Sequence, residues 1–284
     1  MKRVLVLGSY GMLGHQVMRT LEQHGGDIEL FDVSHSCKYR AESISHDLTD
    51  QAANKQLIDG IRPDVVINCV GVLVKGSGNT ERAILLNAYL PHFLARTLDE
   101  YGGRLIHIST DCVFSGLSGP YVEDSIKDGV GTYSLTKSLG EVDEQGHLTL
   151  RTSIIGPELK DTGEGLFHWF MNQNEEVCGY SSAIWSGVTT KVLAQILLGV
   201  LWTDTSGLYH VTNNCSISKY DLLQLFNTST QKHIGIEKVP GKDSNKALLD
   251  TRNDITFQIP SYPDMIADMI TDMNSNRSLY AQYF

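Results

Sequence analysis

Val4-Leu5-Val6-Leu7-Gly8-Ser9-Tyr10-Gly11-Met12-Leu13-Gly14 is the stretch whose reading decides the fold. The four apolar residues 4–7 are too few for a helix and do not alternate with polar ones, so they read as a strand covered on both faces. Glycines at GxxGxxG spacing follow at once and open a helical pattern over 12–24. Such glycines let a turn be tight, let the backbone approach a pyrophosphate and let a helix pack closely on a strand. The helix N-terminus then offers free N–H groups and partial positive charge to an anion. Asp32 ends the second apolar run near the ~20-residue offset expected of a carboxylate on an adenosine ribose. Taken singly, the glycines fit a plain strand–helix turn, and Asp32 fits a cap. In this order they predict a dinucleotide cradle.

Outward from this unit the same rhythm continues. Apolar runs at 4–7, 28–31, 65–68, 105–108 and 148–150 alternate with helical patterns at 12–24, 50–60, 80–100 and 134–145. Strand–helix alternation predicts an α/β fold, a Rossmann-like, doubly wound parallel sheet with crossover helices on both faces. After Arg151 the composition turns toward aromatics, Asn, Ser and Thr, with a break at Gly156-Pro157. Helices are expected at 165–173, 189–201, 218–227 and 262–273, with a short strand at 208–211. The expected division is a NAD(P)-binding domain over 1–153 and a smaller, mainly substrate-binding C-terminal lobe over 154–284, with some elements returning to the first domain.

Composition narrows the function. The chain has 284 residues, 41% apolar and 20% charged, with 33 acidic against 23 basic residues and a net charge of −10. A net negative chain without a basic stripe is not built to neutralise a phosphate backbone, so no nucleic-acid partner is expected. No run approaches the ~18 apolar residues of a membrane helix, so no membrane partner is expected either. Cys37, Cys69, Cys112, Cys178 and Cys215 are odd in number and scattered, with no CxxC pair. Neither a disulfide framework nor a metal site is expected, and reduced thiols point to the cytoplasm. His107, within a buried strand pattern, reads as a packed histidine.

The glycine spacing is similar to that of the extended short-chain dehydrogenase/reductase superfamily. Asp47-Leu48-Thr49-Asp50 resembles its segment facing the adenine, and Asn68-Cys69-Val70-Gly71 resembles its Asn-x-x-Gly element beside the cofactor. The resemblance implies cofactor contacts from Gly8, Tyr10, Gly11, Met12, Leu13 and Gly14, from Asp32, Asp47 and Leu48, and from Cys69, Val70, Gly71 and Ser109.

Tyr133-Ser134-Leu135-Thr136-Lys137 sets a phenol and an ammonium four residues apart on one helical face. Lys137 beside Tyr133 would lower the phenol pKa by Coulombic attraction and let it donate a proton near neutrality. Thr110, at the end of the fourth strand, would donate to a substrate carbonyl; the plain reading of Ser109 and Thr110 is a strand-end cap. Asn87 lies four residues before Pro91, whose missing N–H frees the Asn87 carbonyl. One reading is a kinked surface helix. The other, which the superfamily resemblance implies, is a catalytic Asn87 that anchors a relay water to Lys137.

Ser109-Thr110-Asp111-Cys112-Val113-Phe114-Ser115-Gly116, with Pro120 to Asp124, Tyr133 to Glu141, Leu86 to Pro91 and Arg151 to Pro157, resembles the dTDP-4-dehydrorhamnose reductase family. The resemblance covers most of 1–157 and implies NADPH- or NADH-dependent reduction of a 4-keto-6-deoxy hexose for surface polysaccharide synthesis. Tyr133 and Lys137 would also touch the nicotinamide ribose. Thr110, Asp111, Val113, Phe114, Tyr133 and Trp185 would meet the substrate. The loop at 179–190 lacks the charged residues expected of the rhamnose branch, so a UDP-linked N-acetylated sugar stands beside the dTDP-linked one. An epimerase or dehydratase on the same fold, or a non-catalytic regulatory subunit, are the rival readings, and a homodimer is the expected assembly. Asp32 favours NADH, whereas Lys38 and Arg40 in the following loop favour a 2′-phosphate. The mixed signs predict use of both.

Overall fold

A computed structural model describes residues 1–252, 254–255 and 257–284. Its centre is a seven-stranded parallel sheet. The strands are β1 (Lys2–Leu7), β2 (Ile28–Ser34), β3 (Ile44–Ser45), β4 (Val65–Asn68), β5 (Arg104–Thr110), β6 (Leu148–Thr152) and β11 (Gly207–His210). Their order is β11-β6-β5-β4-β1-β2-β3. The direction of winding reverses between β1 and β4, and at such a reversal the carboxyl ends of the strands leave a crevice for ligands. Val4 pairs with Leu30 on one side and Val65 on the other.

The missing alternation in β1 has a direct cause. Val4 and Val6 point to one face and pack with Val17, Met18 and Leu21 of α1 (Gly14–His24) and Leu193 and Leu197 of α7 (Thr190–Val200). Leu5 and Leu7 point to the other face and pack with Ile58 and Ile61 of α2 (Gln51–Ile61) and Leu94 and Leu98 of α4 (Leu90–Asp99). All four strand residues are fully buried. Each contributes about 1.5–3 kcal/mol of transfer free energy relative to exposure, which is why a two-sided strand must be apolar throughout.

Two helical expectations are corrected. The stretch 80–100 is not one α-helix: α3 (Thr80–Ala83) passes into a π-helical turn over Ile84–Tyr89 before α4 begins. The Leu90 N–H reaches back to the Leu85 carbonyl, a wider turn that accommodates Pro91 in the first turn of α4. The helix expected at 134–145 is α5 (Thr132–Leu139), and it stops at Gly140. A Cβ on Gly140 would overlap the carbonyl oxygen of Asn87, so the two helices touch backbone to backbone there.

The remainder of the chain adds short paired strands that carry too little pattern to be read locally. These are β7 (Ile154–Ile155) with β10 (Val188–Thr189), and β8 (Val177–Tyr180) with β13 (Ile236–Val239). A third group places β9 (Ala183–Trp185) between β12 (Ile217–Ser218) and β14 (Ser244–Asn245). Helices α6 (Leu166–Met171), α8 (Lys219–Thr230) and α9 (Tyr262–Ser275) complete the core. β11 returns to the main sheet, pairing Tyr209 with Leu150. Among the described residues no helix is long and apolar enough to cross a membrane.

Candidate active site

Gly8 has φ +84°, a left-handed conformation that disfavours any side chain, and a Cβ there would also press on Val70. Gly14 has ordinary φ but no room: a Cβ would overlap the Gly8 carbonyl. The two glycines therefore let α1 start hard against the end of β1, and no side chain caps that helix start. An uncapped start leaves its first N–H groups for a ligand.

In front of this turn lies a cleft of about 360 Å³. Its walls include Gly8, Tyr10 and Gly11, residues 33–37, Asp47 and Leu48, residues 69–73, and Arg82, Lys160 and Glu164. The sequence reading placed Asp47, Leu48, Cys69, Val70 and Gly71 beside a cofactor, and all five line the cleft. Asp47 is fixed by accepting from the Thr49 amide and hydroxyl, at 3.0 and 2.9 Å. Met12 and Leu13 sit outside the lining; Leu13 is core, and Met12 lies against Gly165.

Asp32, Lys38 and Arg40 are likewise outside the lining. Asp32 is buried, with Oδ1 accepting from Arg40 Nε at 2.9 Å and Oδ2 without a partner. The same guanidinium donates to the Leu30 carbonyl at 2.7 Å and to Glu22 at 3.2 Å. Lys38 donates to the Ala41 carbonyl, at 3.4 Å. The acid and the base read as opposing determinants are thus paired with each other, and residues 33–37 line the cleft in their place.

Thr110 closes β5, where its hydroxyl accepts from the Cys112 amide at 3.1 Å and donates to Asp111 at 3.1 Å. Tyr133 lies in the first turn of α5. The expectation that Lys137 lowers its phenol pKa is corrected: burial pushes the phenol up, Cys112 and Asp111 act the same way and Thr110 opposes them, while the Lys137 Nζ is turned to the Ile108 carbonyl and His107. Burial brings the Lys137 ammonium down to about 8, against the pull of Glu141 and Cys69. Its Nζ lies 2.8 Å from the Ile108 carbonyl and 3.3 Å from His107 Nε2. Cys69 joins the two halves of the site: it lines the cleft, and burial raises its thiol to about 12 while Lys137 draws it down.

Asn87 is fully buried in the π-helical turn. Its side-chain amide grips Val72, accepting from the amide at 2.7 Å and donating to the carbonyl at 3.0 Å, and donates to Thr136 at 3.2 Å. Its carbonyl abuts Gly140. Ser109 donates to Glu141 at 2.6 Å, and Glu141 forms a two-point pair with Arg151, at 2.8 and 2.7 Å. Ser109 therefore braces α5 from β5. Val113 and Phe114 are fully buried, Phe114 stacked on Tyr121 with centroids 4.1 Å apart. Trp185 is 3% exposed, donates to Ser153 at 2.7 Å, and has Lys219 5.1 Å above its ring. These three side chains are core groups under the site; Asp111, also buried, has its carboxyl pushed up by that burial, with Lys246 and Lys219 opposing.

Residues 1–253 match the family model described as RmlD substrate binding domain. The chain belongs to that family. Among its relatives, dTDP-4-dehydrorhamnose reductase of Escherichia coli (strain K12) is 27% identical over 234 residues, 78% of this chain and 76% of that protein. Methionine adenosyltransferase 2 subunit beta of Xenopus laevis is 31% identical over 169 residues, 57% of this chain but only half of that protein. A dTDP-4-dehydrorhamnose reductase from Bacillus anthracis str. Ames, solved in complex with NADP, superposes with a TM-score of 0.81 at 20% identity, covering 96% of this chain and 99% of that one. That likeness shows the fold, the Rossmann-like parallel sheet with flanking helices.

Several groups around this family member's site were not legible beforehand. Arg82, Lys160 and Glu164 reach the cleft from segments whose local sequence carries no motif. His107, read as packing, touches Lys137. Only a pairing of β4 with β5, which sets His107 beside Asn68, would have signalled it.

Proposed function

We propose that this protein reduces the 4-keto group of a nucleotide-linked 4-keto-6-deoxy hexose, with NADPH or NADH as reductant. The observation that carries the proposal is the placement of Thr110, Tyr133 and Lys137 at the carboxyl end of β5 and on α5, joined through Cys69 to a glycine-turned cleft. The donor set fits a dinucleotide: two glycines where a Cβ would obstruct, an uncapped helix start for a diphosphate, and Asp47 with Leu48 at the far end. Bound there, the nicotinamide would supply the hydride.

Tyr133 is the proton donor. A phenol keeps its O–H at neutral pH, so the proton is present when an alkoxide forms. Thr110 would turn its hydroxyl hydrogen, now given to Asp111, toward the carbonyl oxygen. Lys137 restores the proton from within the helix, and Asn87 holds the turn against α5 through Val72 and Thr136. Because Arg40 neutralises Asp32, the wall facing an adenosine ribose is nearly uncharged, and the hydroxyls of Ser34 and Ser36 suit a 2′-hydroxyl or a 2′-phosphate. This supports use of both cofactors. The sugar is carried by dTDP or UDP, and the product serves surface polysaccharide assembly in the cytoplasm, a role that rests on the family.

A regulatory-subunit reading is favoured by the 31% identity to the methionine adenosyltransferase subunit. Retention of Thr110, Tyr133 and Lys137 together weighs against it. The two separate by incubating purified protein and NADPH or NADH with a panel of dTDP- and UDP-linked 4-keto-6-deoxy sugars and following nicotinamide oxidation. Absence of oxidation with every sugar, in protein shown to bind the cofactor, refutes the reductase.

A further inference from the structure

Behind Tyr133, Lys137 of α5 meets a buried polar pair, Asn68 and His107, that the proposed reduction leaves unused. Asn68, at the end of β4, accepts from the Val70 amide through Oδ1 at 3.1 Å, which fixes the amide so that its NH2 faces His107 Nδ1 at 3.2 Å. A neutral imidazole that accepts at Nδ1 carries its proton on Nε2. That nitrogen lies 3.3 Å from Lys137 Nζ, whose other contact is the Ile108 carbonyl. An ammonium has only hydrogens to offer, so N–H would meet N–H. All three contacts are satisfied together only when Lys137 is an amine whose lone pair accepts from Nε2–H. Asn68 and His107 are fully buried and Lys137 is 4% exposed, so water cannot relieve the conflict cheaply.

We infer that His107, its tautomer set by Asn68, is a positioning residue that favours the uncharged amine of Lys137 in the free protein, so that the ammonium forms on nucleotide binding with uptake of a proton from solvent. This rests on Lys137 belonging to the catalytic set. Other groups around Lys137 do not reverse it. Glu141, on the chain just past α5, is already held by Arg151, Ser109 and Lys127. Cys69 stays a thiol through burial, and Tyr133 a phenol. His92, on α4, is spent on the Leu139 carbonyl at 2.8 Å. Burial acts on Lys137 in the same direction, down to about 8, and holds His107 neutral. An anionic nucleotide in the cleft opposes both and draws the proton in.

The test is calorimetric titration of the full chain with NADH at mildly alkaline pH in buffers of different ionisation enthalpy. NADH has no 2′-phosphate to titrate, and subtracting the uptake of Lys137→Met removes His35 and His46, which border the cleft. The expected difference is on the order of one proton. His107→Phe, which lacks the opposing N–H, should lower it. Asn68→Asp should lower it further, because a carboxylate turns the imidazole over and Nε2 then accepts from an ammonium. Equal uptake by parent and Lys137→Met overturns the inference on the parent alone, whether or not the variants fold. Unchanged uptake in both folded variants overturns it too. Sugar reduction by a protein that takes up no proton on binding NADH sinks this inference and spares the reductase; uptake on binding without reduction of any sugar does the reverse.

Discussion

Replacing Arg40 by Met tests the electrostatics of cofactor choice. In the parent, Arg40 Nε sits 2.9 Å from Asp32 Oδ1, and the Asp32 side chain is wholly buried whereas Arg40 is 28% exposed. Removing the guanidinium strands a buried carboxylate whose second oxygen already lacks a partner. Breaking a buried pair costs about 3–5 kcal/mol, and the exposure of Arg40 lowers this to roughly 2–3 kcal/mol of stability. The same change leaves an unneutralised carboxylate next in sequence to Val33 and Ser34 of the cleft wall. A 2′-phosphate bearing about 1.5 charges would be repelled by that carboxylate, by a few kcal/mol at an effective dielectric of about 20. Salt and solvent reduce it to about 1–2 kcal/mol, or roughly 5–30-fold in relative efficiency. NADH has no phosphate to repel. The assay is kcat/KM for NADPH and NADH in parent and variant at two ionic strengths, beside a thermal melt. The NADPH-to-NADH ratio should fall 5–30-fold at low salt and recover partly at high salt. A lowered Tm with an unchanged ratio would refute the argument and leave the pair purely structural.

Three further outcomes follow from the site. Tyr133→Phe should retain cofactor affinity and lose about 10²–10⁴ in turnover, since it removes only the proton donor; near-normal turnover contradicts that role. Gly140→Ala forces a Cβ onto the Asn87 carbonyl, so α5 must shift, with about 1–3 kcal/mol lost in a urea melt and weaker turnover; an unchanged melt means that the helices do not touch there. Glu141 is pushed up by burial, but Arg151 and Ser109 overcome this and bring its pKa below 4.5. Its stabilisation is therefore full above about pH 4.5 and lost as pH falls through the lower folded value. Glu141→Gln should be less stable at neutrality yet lose less on acidification, and parallel Tm-versus-pH curves would count against the pair.

What could be read in the sequence was whatever the chain states locally. The run 4–7 and the glycines at 8, 11 and 14 carry their own geometry, so the first strand, turn and helix, and from them the fold, were visible. Asp47, Leu48 and residues 69–71 line the cleft because they follow strands or begin crossovers. Failures came from partners distant in sequence. The end of α5 depends on Asn87 in another helix, which no pattern at 134–145 contains. Arg40 looked free for a phosphate until Asp32, Glu22 and the Leu30 carbonyl claimed it. Trp185 looked available to stack until Lys219 and Ser153 covered it. His107 looked like packing because its two neighbours come from β4 and α5.

The position of β11 bears on how the protein is made. The outer edge of β6 stays open until residues 207–210 leave the ribosome, some fifty residues after β6 itself. During that interval the nascent chain exposes an unpaired parallel edge, and Arg151 has yet to receive His210 at 2.8 Å. Synthesis at about 5–20 residues per second makes the wait several seconds, long enough for chaperone capture or for pairing with a neighbouring polypeptide. A fragment ending just past β6 would carry that open edge permanently. Inclusion bodies from such a truncation, and soluble product only from a chain that carries β11 and the helices α8 and α9 behind it, are what this late closure entails.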